Sequence, residues 1–111
     1  MIPALIILIF SIVSFNYKDE LKIPTDQTLI QEGKRIYMST CAQCHNTNPH
    51  KPGSIGPDLY STPEKVFYTK VPEGKYPEGY KPKRSTKVMP KFKHLTNRID
   101  MIYNYIRSVP K

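Results

Sequence analysis

Cysteine is scarce in this chain, which limits the ways in which the fold can be stabilised. The 111 residues contain two cysteines, Cys41 and Cys44. This number excludes the disulfide framework of many small secreted domains, and one bridge between these positions would close too short a loop to add much stability. A chain of this length forms one domain at most, with a limited core. We therefore expect a metal or cofactor to contribute to the stability of the fold.

The chain also lacks any run of alternating apolar and polar residues long enough to indicate a β-strand. Three segments instead have the apolar spacing of amphipathic helices, and proline-rich loops separate them. The predicted helices cover residues 25–40, 62–71 and 95–110, the second with Thr62 as its cap and Pro72 as its end. The sequence thus predicts an all-α domain with long loops.

Gly33 lies on the apolar face of the first predicted helix, together with Ile36 and Tyr37. A glycine inside a helix costs about 1 kcal/mol relative to alanine. Because this glycine is on the face that should be buried, we expect a second helix to cross the first very close to it.

Charged side chains are missing from residues 1–17, which contain an apolar run over residues 2–15. This run is shorter than the roughly 20 residues that span a bilayer, and it is typical of the apolar part of a signal peptide. We expect residues 1–17 to be either a cleaved signal peptide or a retained membrane anchor, followed by one domain over residues 18–111. Either interpretation predicts export, to the periplasm or the outer side of the cytoplasmic membrane.

The cysteines belong to the stretch CAQCH, in which His45 directly follows Cys44. A thioredoxin-like dithiol should follow a strand, whereas here a helix precedes the motif. A zinc site needs four ligands, and the chain contains no second cluster of cysteines or histidines. Cys-x-x-Cys-His is the spacing of covalent haem attachment, in which both thiols form thioethers and the histidine binds the iron. We therefore predict one covalently attached haem c.

The sixth iron ligand must come from elsewhere in the chain, and Met89 is the best candidate. It lies in the loop VMPKF, and the proline that follows favours an extended backbone at Met89. The longer loop over residues 70–93, to which this stretch belongs, also contains Tyr76, Tyr80 and Phe92, which indicates an ordered segment that covers a site. The rival ligands are His50 and His94, and we expect His50 to face solvent; Met1, Met38 and Met101 lie in segments less suited to this role.

These features resemble the mono-haem class I cytochrome c family over nearly the whole of residues 18–111. The resemblance rests on Gly33 and Tyr37 leading into CAQCH, and on IGPDL, VMP and NYIRS in that order. It implies a small all-α fold wrapped around the haem, preceded here by the apolar segment. It also implies that Gly33 and Tyr37 pack crosswise against Ile102 and Tyr105 of the last helix.

The resemblance further implies that the carbonyl of Pro57 accepts a hydrogen bond from the second ring nitrogen of His45, which fixes the tautomer. Members of the family often hold a haem propionate with tryptophan, and this chain contains none. Tyr76, Tyr80 and Arg84 are the candidates to replace it.

His/Met ligation raises the reduction potential and leaves no open position on the iron. The expected function is therefore outer-sphere electron transfer between redox proteins, without catalytic activity of its own. Two roles remain open: a free or tethered electron shuttle, and a fixed or membrane-anchored cytochrome subunit of a larger oxidoreductase.

Basic residues outnumber acidic ones, which gives a formal net charge of +8 at pH 7. Residues 81–93 contain no acidic residue and carry a lysine collar, defined as Lys81, Lys83, Lys87, Lys91 and Lys93. With Met89 at the iron, this collar would lie near the haem and attract an acidic redox partner. The aromatic residues follow no pattern for reading nucleic acids, so we expect no nucleic acid partner.

Overall fold

A computed structural model describes residues 25–111. The predicted signal peptide or anchor at residues 1–17 lies outside the described residues. The elements are α1 (Asp26–Ile36), a π-helical turn (Tyr37–Cys41), α2 (Ala42–His45), α3 (Glu64–Glu73), a 3₁₀ helix (Lys93–Arg98) and α4 (Ile99–Ser108). Residues 25–111 contain no strand, which confirms the all-α prediction. None of the helices in this range is both long enough and apolar enough to cross a membrane.

The first helical segment is longer than predicted. Thr25 caps α1, because its Oγ1 accepts a hydrogen bond of 3.3 Å from the backbone N–H of Thr28. At the other end, the chain passes through the π-helical turn into α2 and ends at His45 rather than at Thr40. In this turn the backbone N–H of Ala42 bonds to the carbonyl of Tyr37, five residues back, where an α-helix bonds four back.

The crossing of α1 and α4 is as close as Gly33 predicts. A Cβ atom added to Gly33 would lie 2.0 Å from the carbonyl oxygen of Met101 and 3.1 Å from Cβ of Tyr105. One turn along, the ring of Tyr37 packs on the ring of Tyr105, with 5.6 Å between the centroids. The two helices are therefore in backbone contact at Gly33, where Met101 takes the place expected for Ile102.

The apolar face of the last helical segment forms the centre of the core. Leu95, Ile99, Ile102 and Ile106 are all buried, as their spacing predicts. The segment begins as the 3₁₀ helix, and regular α-helix starts only at Ile99. Phe67 and Val71 of α3 complete the core beside them.

Both predicted ends of α3 are wrong by one or two residues. Pro63 has the extended conformation of a cap residue, and Thr62 turns its hydroxyl away to donate to the carbonyl of Asp58 at 3.1 Å. Pro72 lies inside the last turn of α3. Proline has no N–H and removes one backbone hydrogen bond of the helix, but only Glu73 follows it in α3, so the disruption is confined to the helix end. The helix ends at Glu73 because Gly74 adopts a left-handed conformation (φ 73°), for which glycine is suited.

We expect Tyr37→Phe to lower the free energy of unfolding by about 1–2 kcal/mol, because a buried hydrogen bond is lost. The Tyr37 ring is fully buried and its hydroxyl donates to the carbonyl of Asn46 at 2.6 Å. Burial raises the pKa of Tyr37 above its ordinary value of 10.0. This contribution is therefore complete below pH 10 and is lost as the pH rises further. Denaturant unfolding of both proteins in neutral and alkaline solution measures the difference, which should shrink in alkali; an unchanged difference would contradict this origin.

Candidate cofactor site

A large cavity lies between the first helical segment, α3, α4 and the loop that follows α3. Its empty space is about 1090 Å³, including the part that opens to solvent. The residues of the CAQCH motif that line it are Cys41, Cys44 and His45. Much of the remaining wall is apolar, and it includes Leu59, Val66, Phe67, Val71, Ile99 and Ile102. Part of the core, including Phe67, Val71, Ile99 and Ile102, therefore faces this cavity, and its apolar wall suits an apolar group such as haem.

The two thiols reach the cavity from consecutive parts of the first helical segment. Cys41 ends the π-helical turn and Cys44 lies in α2. Burial, with the nearby Cys44, raises the pKa of the Cys41 thiol to about 12. Within residues 25–111, no three histidine, cysteine, aspartate or glutamate side chains come together as a metal site. The two thiols and His45 would supply three of the four ligands that a zinc site needs, and they have the spacing of thioether attachment.

His45 is held in one orientation from two sides. Its exposed fraction is 7%, and its Nδ1 lies 2.9 Å from the carbonyl oxygen of Pro57, which makes Nδ1 the donor. A Cβ atom added to Gly56 would lie 2.4 Å from the Cε1 atom of His45, so the backbone packs on the ring. Burial, together with the charge of Arg84, lowers the pKa of His45 despite the Pro57 bond. The imidazole is therefore neutral, and Nε2 carries the lone pair that an iron ion requires.

The segment that follows the motif packs back on it through its backbone. Asn46 has a positive φ of 80°, which is uncommon for a residue other than glycine. A Cβ atom added to Gly53 would lie 2.0 Å from the carbonyl oxygen of Cys44, and that oxygen accepts a bond of 2.8 Å from the N–H of Gly56. Asn46 and Gly53 were not predicted from the sequence as parts of the site. The one signal was their residue types, since asparagine and glycine favour such turns.

His50 does not face solvent, and that expectation is wrong. Its Nε2 donates to the carbonyl of Val109 at 2.8 Å, and its ring stacks on Tyr60 with 3.8 Å between the centroids. The reason is the turn at the buried Pro49, whose carbonyl accepts the N–H groups of Leu59 and Tyr60 and folds the loop over His50. His50 therefore ties this loop to the C-terminal residues.

Met89 lines the same cavity as His45. It is half-buried in the loop and packs against the core, and Pro90 beside it also lines the cavity. The four other candidate ligands among the described residues do not line the cavity; they are Met38, His50, His94 and Met101. The loop thus brings one thioether to the cavity that the motif residues share.

The three residues proposed for propionate contacts also line this cavity. Tyr76 and Tyr80 stack with 5.6 Å between their centroids, and the Nζ of Lys70 lies 4.3 Å above the Tyr76 ring. Burial raises the pKa of Tyr80, so its hydroxyl remains a donor. Arg84 is half-buried beside them. These side chains form a polar and basic edge on an otherwise apolar wall.

Lys83 departs from the other members of the lysine collar. Lys81, Lys87, Lys91 and Lys93 are exposed and lie outside the cavity wall. The Lys83 ammonium instead donates to Ser61 Oγ at 2.6 Å and pairs with the Asp58 carboxylate at 3.4 Å. Burial raises the pKa of Asp58, but hydrogen bonds from Ser61 and the charge of Lys83 outweigh it and the pKa falls below its ordinary value. Lys83 is thus held by neighbouring groups of the protein, which distinguishes it from the four other collar lysines.

Comparison with known proteins identifies the family. A family model described as "Cytochrome c" matches residues 30–110, a range that begins within α1 and extends past the end of α4. A search of curated proteins and a search of solved structures gave no match. The matched range contains the CAQCH motif and the cavity that its residues line. The chain therefore belongs to the cytochrome c family of haem-binding electron-transfer proteins, and its haem c is covalently attached, for which Cys41 and Cys44 have the required spacing.

Proposed function

We propose that this protein carries single electrons outside the cytoplasm, at an iron bound by His45 and Met89. The observation that supports this most directly is that both residues line one cavity, together with the two cysteines. Haem c, when attached, supplies an iron that gains or loses one electron. A histidine and a methionine are the axial pair that raises its reduction potential.

The residues of the chain have separate tasks in this function. Cys41 and Cys44 hold the cofactor, and the carbonyl of Pro57 keeps the lone pair of His45 Nε2 free by binding the proton on Nδ1. The apolar wall excludes water, which limits the reorganisation that accompanies a change of charge. Neither a nucleophile nor a general base is needed for outer-sphere transfer. We therefore propose a carrier without enzymatic activity of its own.

Charge supports an acidic redox protein as the partner. Four exposed lysines lie around the Met89 segment, and the formal net charge of the whole chain is +8 at pH 7. Val88, next to Met89, has an exposed fraction of 66% and lines the mouth of the cavity. An apolar spot within a basic surface suits small, transient encounters with acidic proteins, which electrostatic attraction accelerates. We propose no nucleic acid partner.

A second candidate function is a fixed or membrane-anchored subunit of a larger oxidoreductase. The apolar run over residues 2–15 favours it, because a retained segment of this kind would hold the domain at the outer side of the cytoplasmic membrane. N-terminal sequencing of the purified protein distinguishes a free shuttle from an anchored form, and its size in solution shows whether it belongs to a larger complex. A mature form that starts near residue 18 and behaves as a monomer supports the shuttle.

We expect Met89→Ala to abolish the weak long-wavelength absorption band of the ferric protein, which methionine ligation produces, and to lower its reduction potential. The protein is produced with a cytochrome c maturation system, and the spectrum is recorded after oxidation. Met38→Ala is the matched control, because Met38 is 37% exposed and lies outside the cavity wall. Persistence of the band in Met89→Ala would show that another residue binds the iron.

A further inference from the structure

We propose that Lys83 is a positioning residue that fastens the Met89 loop to the segment that orients His45. This inference rests on the proposed ligation by Met89. It concerns the contact between residues 58–62 and Lys83 of the Met89 loop. Neither Lys83 nor residues 58–62 belong to the proposed iron ligands.

The Lys83 ammonium lies among acceptors that belong to one short segment. It donates to Ser61 Oγ at 2.6 Å, to the carbonyl of Asp58 at 3.2 Å and to Thr62 Oγ1 at 3.3 Å. Both carboxylate oxygens of Asp58 lie at 3.4 Å. An ordinary surface ion pair has one partner and contributes little, whereas this ammonium has three donors and more than enough acceptors for each.

The acceptors are arranged independently of Lys83. The Ser61 hydroxyl donates to the Asp58 carboxylate, and the Thr62 hydroxyl donates to the Asp58 carbonyl at 3.1 Å. Thr62 is buried, and the side chain of Lys83 has an exposed fraction of 30%. Because these acceptors are already held in place, the contact with the ammonium orders only the lysine side chain. An ordinary surface ion pair must order two mobile side chains, which costs more conformational entropy.

This contact connects the two halves of the site. Asp58 directly follows Pro57, whose carbonyl binds His45. On the other side, Met89 follows Lys83 along the loop. Residues 84–91 make no hydrogen bond with other described residues; after them, the N–H of Phe92 bonds to the carbonyl of Val71 at 2.6 Å. Lys83 and Phe92 therefore fix the two ends of the segment that presents Met89.

Loss of Lys83 should make it easier for Met89 to leave the iron. We expect Lys83→Gln to raise the affinity of the ferric protein for added imidazole, which competes with the methionine, by roughly tenfold, since the competitor binds only the fraction of molecules in which Met89 is displaced. Imidazole binding is followed by the disappearance of the long-wavelength band. Lys83→Arg keeps the charge and the donors, so it should stay within roughly threefold of the wild type.

Two controls separate positioning from general effects. Lys65→Gln removes the same charge from an exposed lysine of α3 that lies outside the cavity wall, and it should bind imidazole like the wild type. Ser61→Ala should also raise the affinity of the ferric protein for imidazole. The double variant Ser61→Ala/Lys83→Gln should bind imidazole as tightly as Lys83→Gln alone, because the two residues form one contact. Thermal unfolding of each variant shows whether the whole fold has been weakened instead.

The outcomes distinguish this inference from the proposed function. If the wild-type ferric protein lacks the long-wavelength band, or Met89→Ala retains it, ligation by Met89 fails. If the wild type has the band and Lys83→Gln binds imidazole no more tightly than Lys65→Gln, the ligation stands and the role of Lys83 is overturned. Additive effects of Ser61→Ala and Lys83→Gln would also overturn it.

Discussion

We expect Gly33→Ala to lower the free energy of unfolding by about 3 kcal/mol, the upper part of the range for overpacked sites. The new Cβ would lie 2.0 Å from the carbonyl oxygen of Met101. This oxygen belongs to the backbone of α4 and cannot rotate away as a side chain would. The variant must therefore separate α1 from α4, and that separation also loosens the packing of Tyr37 on Tyr105. Denaturant unfolding of the haem-loaded protein measures the loss.

Gln31→Ala is the control for this experiment, because Gln31 is exposed on the same helix. It should leave the stability within about 0.5 kcal/mol of the wild type. The sign of the change in the free energy of unfolding is the decisive result for Gly33→Ala. In a solvent-exposed helix, the change from glycine to alanine raises the free energy of unfolding by about 1 kcal/mol. A stabilised Gly33→Ala protein would mean that the helices do not touch at this point.

We expect the double variant Cys41→Ala/Cys44→Ala to lose its cooperative unfolding transition altogether. Without thiols, haem is not attached, and the apolar residues around the cavity lose the group that fills the space between them. Ile99 and Ile102 both line the cavity and belong to the core. The domain has a limited core of its own and is stable by only a few kcal/mol. Loss of the apolar contacts between the haem and the core should therefore cost more free energy than this margin. Thermal unfolding followed by circular dichroism measures the transition.

The single variant Cys44→Ala is the matched control, because it keeps one thiol for attachment. It should yield coloured protein that unfolds cooperatively at a lower temperature than the wild type. A colourless double variant that still unfolds in one sharp transition would show that the protein core is sufficient without the cofactor.

The sequence predicted those parts of the fold that depend on local pattern. Leu95, Ile99, Ile102 and Ile106 share one face by spacing alone, and all are buried. Gly33 indicated a close helix crossing because its cost in a helix requires a compensation elsewhere. The CAQCH motif indicated the cofactor because its chemistry is carried by adjacent residues.

The features that the sequence did not predict depend on contacts between distant segments. Pro72 can stay inside α3 because Gly74 ends the helix beyond it, so the usual effect of proline did not decide the boundary. His50 is fixed by Val109 and Tyr60, and neither contact leaves a local signal. The sequence does not distinguish Lys83 from the other lysines of its loop, because its partners Ser61 and Asp58 lie more than 20 residues away along the chain. Met89 as an iron ligand and Pro57 as the partner of an iron-bound His45 remain predictions, although both residues line the same cavity.

The π-helical turn between α1 and the thiols sets the direction from which the motif reaches the cavity. A turn that closes over five residues rather than four is equivalent to an α-helix with one residue inserted. Because each residue of an α-helix advances about 100° around the helix axis, the residues after this turn face about 100° away from where an uninterrupted α-helix would place them. The turn therefore decides how Cys44 and His45 enter the cavity relative to the crossing at Gly33, and a change that made it regular α-helix would rotate both side chains away from that direction.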